Sequence, residues 1–160
     1  MYITLPNKFK LSLALLIAMS GAAVAAPQSV EAFDKTTWNK LVNDNARPSI
    51  VVFSSVTCTH CPGAINKIAA RLAAAKSHTQ LLIVSMDSED DEALLHDPHY
   101  VSAARLFAFN GSAQALQYGV NPGWRGMTPY IAYLDGKRGV NFVAGEPKEA
   151  LLRAWSAAGR

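Results

Sequence analysis

Apolar residues recur along this chain in two spacings. Val30, Phe33, Leu41 and Val42, within SVEAFDKTTWNKLVND, fall near one face of a helix. Ile65, Ile68, Ala69 and Leu72, within AINKIAARLAAAKS, do the same. Between them SIVVFSS is a short β-branched run of the kind that forms a buried strand, and LLIVSMD is a second. SEDDEALLHD opens with Ser88 and a group of acids, which suits a helix N-terminus. PHYVSAARLFAFNG and SAQALQYGV predict two more helical stretches, separated at Asn110-Gly111. YIAYLDG predicts a strand ending in a turn at Asp135-Gly136, with GVNFVAG as its antiparallel partner. EPKEALLRAWSAAG predicts a closing helix with Pro147 in its first turn. Parallel strands joined by right-handed crossovers, then a hairpin and a last helix, make an α/β layered domain. The predicted architecture is a central mixed sheet flanked by helices, with a helical insertion at about 88–111.

The N-terminus changes what the rest of the chain means. Lys8 and Lys10 end a short basic segment, Leu11 to Met19 is nearly all apolar, and small residues follow. That is the layout of a secretory signal peptide. The apolar run falls short of the roughly 20 residues that a membrane span needs. Ala23-Val24-Ala25 fits the A-x-A cleavage pattern, so 1–25 is expected to leave and the domain to occupy 26–160. Cutting one residue later would put Pro27 next to the scissile bond. Export points to the periplasm of a Gram-negative bacterium, where disulfides persist. It also deflates the charge signal. Lys and Arg number 15 against 12 Asp and Glu, and removal of Lys8 and Lys10 leaves 13 against 12, a net of +1. No basic run with interleaved aromatics remains, so nucleic acid is not an expected partner.

The chain's only two cysteines, Cys58 and Cys61, lie in SSVTCTHCPGA. A redox pair, a metal pair and a structural staple compete. A domain of this length buries a core without staples, and a bridge across two residues closes a loop too short to stabilise much. Position favours redox chemistry. Cys58 sits where a predicted buried strand hands over to a predicted helix, and Cys61 follows one turn later. A helix N-terminus offers free N–H groups and about half a positive charge, which favour a thiolate. There a cysteine pKa falls from about 8.5 to roughly 3.5–7.5. The thiolate is the form that attacks a disulfide, and the second sulfur then resolves the mixed disulfide. His60, between the cysteines, is expected to tune Cys58. His96 and His99, in HDPH, are read as a solvated loop, because Pro98 breaks helical spacing. Of Tyr130 and Tyr133, on opposite sides of their strand, one is expected in the core.

These stretches resemble the thioredoxin superfamily, and in particular its periplasmic thiol-disulfide oxidoreductases of the disulfide isomerase and oxidase type. VVFSSVTCTHC resembles the strand and active-site turn; QYGV and GMTPYIAYLDG resemble a helix, cis-proline loop and strand; AGEPKEALLRAW resembles the closing turn and helix. Together they span most of 49–155. The resemblance implies a thioredoxin-like fold, with catalytic Cys58, Cys61 and His60 and a redox-active Cys58–Cys61 disulfide. It implies a cis Thr128-Pro129 bond facing Cys58, with Thr128 and Pro129 binding substrate. It implies protein thiol and disulfide substrates, a redox partner protein, no cofactor and no metal. In the family, His just before the second cysteine marks oxidants and isomerases. The chain departs from the pattern in places. Pro62 is expected to loosen or shift the helix start. Val52 stands where many relatives carry a buried acid. Asn121 to Arg125 lengthens the approach to the cis-proline loop, with Trp124 as a substrate contact or a loop anchor. The isomerases' dimerisation domain is missing, which predicts a monomer. The alternative function is a periplasmic Cu(I) carrier using both cysteines as soft ligands, with Met127 or His60 as a third.

Overall fold

The structure, a computed structural model, describes residues 26–44, 46–87 and 91–159. The expected signal segment 1–25 and the expected helix start at Ser88 lie outside them. Strands β1 (Val30–Phe33), β2 (Ser49–Ser54), β3 (Gln80–Ser85), β4 (Arg105–Phe109), β5 (Tyr130–Leu134) and β6 (Val140–Ala144) form one sheet in the order β1-β4-β3-β2-β5-β6. β1, β4, β3 and β2 run parallel, and β5 and β6 continue the sheet antiparallel. Helices α1 (Lys35–Asn43), α2 (Cys61–Ala74), α3 (Asp91–His96), α4 (Ala113–Val120) and α5 (Glu149–Ala158) connect them.

Both faces of the sheet are covered, which is why its central strands read as continuous apolar runs. On one face Ile65, Ile68 and Leu72 of α2, Leu94 of α3 and Leu152 and Trp155 of α5 pack on Ile50, Val52, Ile83, Leu106 and Ile131. On the other, Trp38 and Leu41 of α1 and Val120 of α4 pack on Phe33, Val51, Phe53, Phe107 and Ala132. Tyr130 and Tyr133 do face opposite sides, but both are buried, because both sides are core. The turn at Asp135-Gly136 is as expected. Gly136 has φ +74° and lies where a Cβ would come 3.0 Å from the Ala46 carbonyl oxygen. Asp135 Oδ1 accepts the Lys137 and Gly139 N–H groups at 2.7 and 2.8 Å.

Three expectations are corrected. Val30–Phe33 is a strand, not the start of the first helix. Residues three apart share a helix face but take opposite faces of a strand, and here Val30 packs in one core and Phe33 in the other. The helix starts after Asp34, whose carboxylate caps Thr37 N–H at 2.7 Å. Among its described residues, the insertion at 88–111 forms a helix over Asp91–His96 but a strand, β4, over Arg105–Phe109. β4 lies between β1 and β3, with Leu106 opposite both Val30 and Ile83. Pairing with two distant segments outweighs the local helical pattern. Pro147 precedes α5 rather than starting it: the Leu151 and Leu152 N–H groups donate to the Lys148 carbonyl, so Lys148 is the cap.

Candidate active site

The cysteines emerge from the most protected strand of the sheet. Every residue of β2 is buried, so the chain leaves its C-terminal end in a fixed position. Two tight turns follow, with Cys58 N–H donating to the Ser55 carbonyl at 3.1 Å and Cys61 N–H to the Cys58 carbonyl at 3.2 Å. Cys61 is the first residue of α2 and His60 its cap. Pro62 neither loosens nor displaces this start. It sits in the first turn, where no intrahelical partner exists for its missing N–H.

Cys58 and Cys61 form a disulfide, with Cα atoms 5.4 Å apart. Cys58 is half-buried, whereas Cys61 is 1% exposed and packs beneath it. An attacking thiol therefore has access to one sulfur only, the one bonded to the first residue of a helix. His60 is exposed and makes no side-chain capping bond. Val52, at the position of the missing acid, is fully buried in the apolar core against α2.

The Thr128-Pro129 bond is cis. Because β5 runs antiparallel to β2, with Phe53 opposite Tyr130, the start of β5 and the end of β2 share one end of the sheet. The cis-proline loop and the cysteines therefore meet there. Thr128 is half-buried and Pro129 buried. Trp124 packs as an anchor of the loop. It is 5% exposed, stacks on Tyr130 with ring centroids 4.6 Å apart, and its Nε1–H donates to the Met127 carbonyl at 2.9 Å. Asn121 Nδ2 donates to the Tyr130 hydroxyl at 2.7 Å, and burial raises that phenol above its ordinary pKa. Val56 and Met127 are exposed apolar side chains on loops at this end.

Sequence reasoning missed a second wall to the site. Asp87, just after β3, accepts the Val56 N–H at 3.1 Å and so holds the turn before Cys58. The signal was available, since parallel neighbours end level, with Ser54 opposite Ser85. The loop after α3 also arrives here: Asp97, His99 and Tyr100 line a small cleft with Cys58 and Pro62. His99 is exposed, as a solvated loop predicts, but the loop lies beside the disulfide. His96 is not part of the cleft; it is exposed and 3.9 Å from Glu92. The described residues contain no group of three or more His, Cys, Asp or Glu placed to hold a metal.

No family profile matches the sequence, and no curated protein sequence is similar to it. Solved structures do match. A thioredoxin-family thiol:disulfide interchange protein from Chlorobium tepidum superposes with a TM-score of 0.56 at 12% identity, covering 84% of this chain and 94% of that one. The thioredoxin domain of a thiol-disulfide oxidoreductase from Bacteroides vulgatus gives 0.53 at 14%, covering 72% and 81%. A secreted disulfide oxidoreductase of Mycobacterium tuberculosis gives 0.52 at 14%, covering 71% and 83%. The chain has a thioredoxin-like fold. Within that fold the cysteine pair closes the turn after β2, and the cis-proline loop opens β5 beside it.

Proposed function

We propose that this chain is an exported thiol-disulfide oxidoreductase that exchanges disulfides with protein substrates through Cys58 and Cys61, acting as an oxidant or isomerase. The observation that carries the reading is the asymmetry of the pair: Cys58 half-buried before a helix cap, Cys61 1% exposed behind it. One sulfur is placed to attack or be attacked, and the other to resolve. The secreted nature of the Mycobacterium tuberculosis protein and the signal-like 1–25 support export to the periplasm. No helix among the described residues is long and apolar enough to cross a membrane. Thr128, ahead of the cis-proline, pairs with substrate backbone, and exposed Val56 and Met127 offer it apolar contact. A redox partner protein resets the pair, and the chain acts as a monomer with no cofactor.

His60 sets the direction. An imidazole near Cys58 favours the thiolate, which exists only in the reduced form, and stabilising the reduced form makes the disulfide a better oxidant. The span from about −270 to about −120 mV corresponds to roughly 7 kcal/mol for two electrons. One pKa unit is worth about 1.4 kcal/mol, so each unit by which the fold favours the Cys58 thiolate supplies part of it. Equilibration with glutathione tests this. The expected potential is above about −200 mV, and His60→Pro lowers it. A wild-type value near that of thioredoxin rejects the oxidant reading. Stoichiometric Cu(I) retention without any exchange replaces the oxidoreductase with a copper carrier.

A further inference from the structure

The cleft beside Cys58 has a volume of about 40 Å³, enough for at least one water. Ser54, Cys58 and Pro62 line one wall, and Asp97, His99 and Tyr100 the other. The second wall is firmly built. Asp97 N–H donates to the Leu94 carbonyl at 3.2 Å, Tyr100 N–H to the Asp97 carbonyl at 3.0 Å, and Ala103 N–H to the Tyr100 carbonyl at 3.0 Å. The Asp97 carboxylate accepts the His99 N–H at 2.8 Å. Tyr100 is 3% exposed, and its hydroxyl is 3.2 Å from Ser54 Oγ in β2. That contact ties the loop to the end of the strand that leads to Cys58. Burial raises the Tyr100 phenol, although the Ser54 hydrogen bond opposes this; nearby Asp97 and Asp87 raise it further. It stays a neutral clamp, and Asp97 and His99 supply the other polar side chains of this wall.

Disulfide exchange needs such a group. A substrate thiol gives up its proton and attacks Cys58 Sγ; the S–S bond breaks and Cys61 leaves with the electron pair and takes up a proton. The second substrate thiol loses its proton and attacks its partner sulfur, so that Cys58 departs as a thiolate. The substrate loses two electrons and two protons: the electrons reduce the Cys58–Cys61 bond, one proton goes to Cys61, and the other must go to a base beside Cys58. The core acid that many thioredoxin-like proteins carry is replaced by Val52, buried in the apolar core.

We propose that His99 handles the proton for the Cys58 sulfur across this cleft: neutral, it accepts the proton of the incoming substrate thiol; protonated, it faces the Cys58 thiolate. The exchange step rests on the oxidoreductase reading, whereas the effect on the thiolate does not. The other titratable groups here are His60 at the cap of α2, Asp87 after β3, and Asp97 and Tyr100 on the same loop. The two carboxylates disfavour a thiolate, and His60 and His99 oppose them.

The test uses the reduced protein and iodoacetamide, with mass spectrometry assigning the label to Cys58 across a pH series. His99→Gln is expected to raise the alkylation midpoint by about one pH unit, the scale of a nearby charge. His99→Lys keeps a cation and returns the midpoint towards wild type. His60→Gln gives its own shift, which adds to that of His99→Gln. Exchange with a reduced dithiol peptide at pH 7 slows about tenfold in His99→Gln, below the usual range for proton transfer because water still reaches the site. It stays slow in His99→Lys, which holds its proton. An unchanged midpoint in His99→Gln, or equal midpoints in the Gln and Lys variants, overturns the proposal. If the wild type exchanges no disulfides, the oxidoreductase reading fails, and the alkylation midpoints still decide His99 alone.

Discussion

At the scale of single residues, the two cysteines differ by burial and by position relative to α2, Cys58 lying before the helix and Cys61 opening it, not by chemistry. Cys58 reaches solvent and is bonded to the helix's first residue, while Cys61 is enclosed. In the reduced protein Cys58 should alkylate well below pH 8 while Cys61 remains slow. On the proposed roles, Cys61→Ala should remove the resolving sulfur and leave Cys58 attached to the substrate disulfides it attacks. Mixed disulfides then accumulate and are visible on non-reducing gels. Equal alkylation of both sulfurs, or no trapped complex, counts against this division of labour. Trp124 is the other decisive residue. Its ring fills the space between Phe53 and Tyr130, at 4.8 and 4.6 Å. Trp124→Ala should cost about 3–5 kcal/mol in urea unfolding, and a smaller loss would mean that the loop collapses into the gap.

At the scale of elements, β4 shows where stability resides. Leu106 is fully buried between β1 and β3, whereas Arg105 beside it is exposed and pairs with Glu31 of β1 through two hydrogen bonds. Leu106→Ala should cost about 2–5 kcal/mol, and Arg105→Met no more than about 1 kcal/mol. The hydrogen bond from Arg105 holds the Glu31 carboxyl below its ordinary pKa. That contribution is therefore present at neutral pH and lost as the pH falls through the lowered value. The small stability difference between wild type and Arg105→Met should be measurable at pH 7 and vanish in acid. A difference that persists there would show the stacking of the Arg105 guanidinium on the Phe107 ring, 4.7 Å from its centroid, to be the larger effect.

The whole molecule links redox state to folding. If the Cys58 thiolate is stabilised in the folded protein, reduction must stabilise the fold by the same free energy. Reduced protein should then melt at a higher temperature than oxidised protein, the reverse of an ordinary structural disulfide. Thermal scans with and without excess dithiol check this. A lower melting temperature on reduction would make the disulfide a staple and remove the oxidant reading.

Much was legible along the chain. β2, β3 and the β5–β6 hairpin announce themselves because buried β-branched runs and an Asp-Gly turn are local signals, and the cysteines are legible because their spacing and their place between strand and helix are local too. Three things were not. Val30–Phe33 and Arg105–Phe109 became strands only through pairing, β1 with β4 and β4 also with β3, which are contacts between segments far apart in the chain that no local pattern marks. Trp124 became an anchor because Phe53 and Tyr130, distant in sequence, frame it. The loop carrying Asp97, His99 and Tyr100 became a wall of the Cys58 cleft because the Tyr100 hydroxyl meets Ser54, 46 residues away. The identity of the reactive atoms is a property of residue type and spacing, and sequence determines it. The surroundings that tune those atoms come from strands and loops far apart in the chain, and only tertiary packing brings them together.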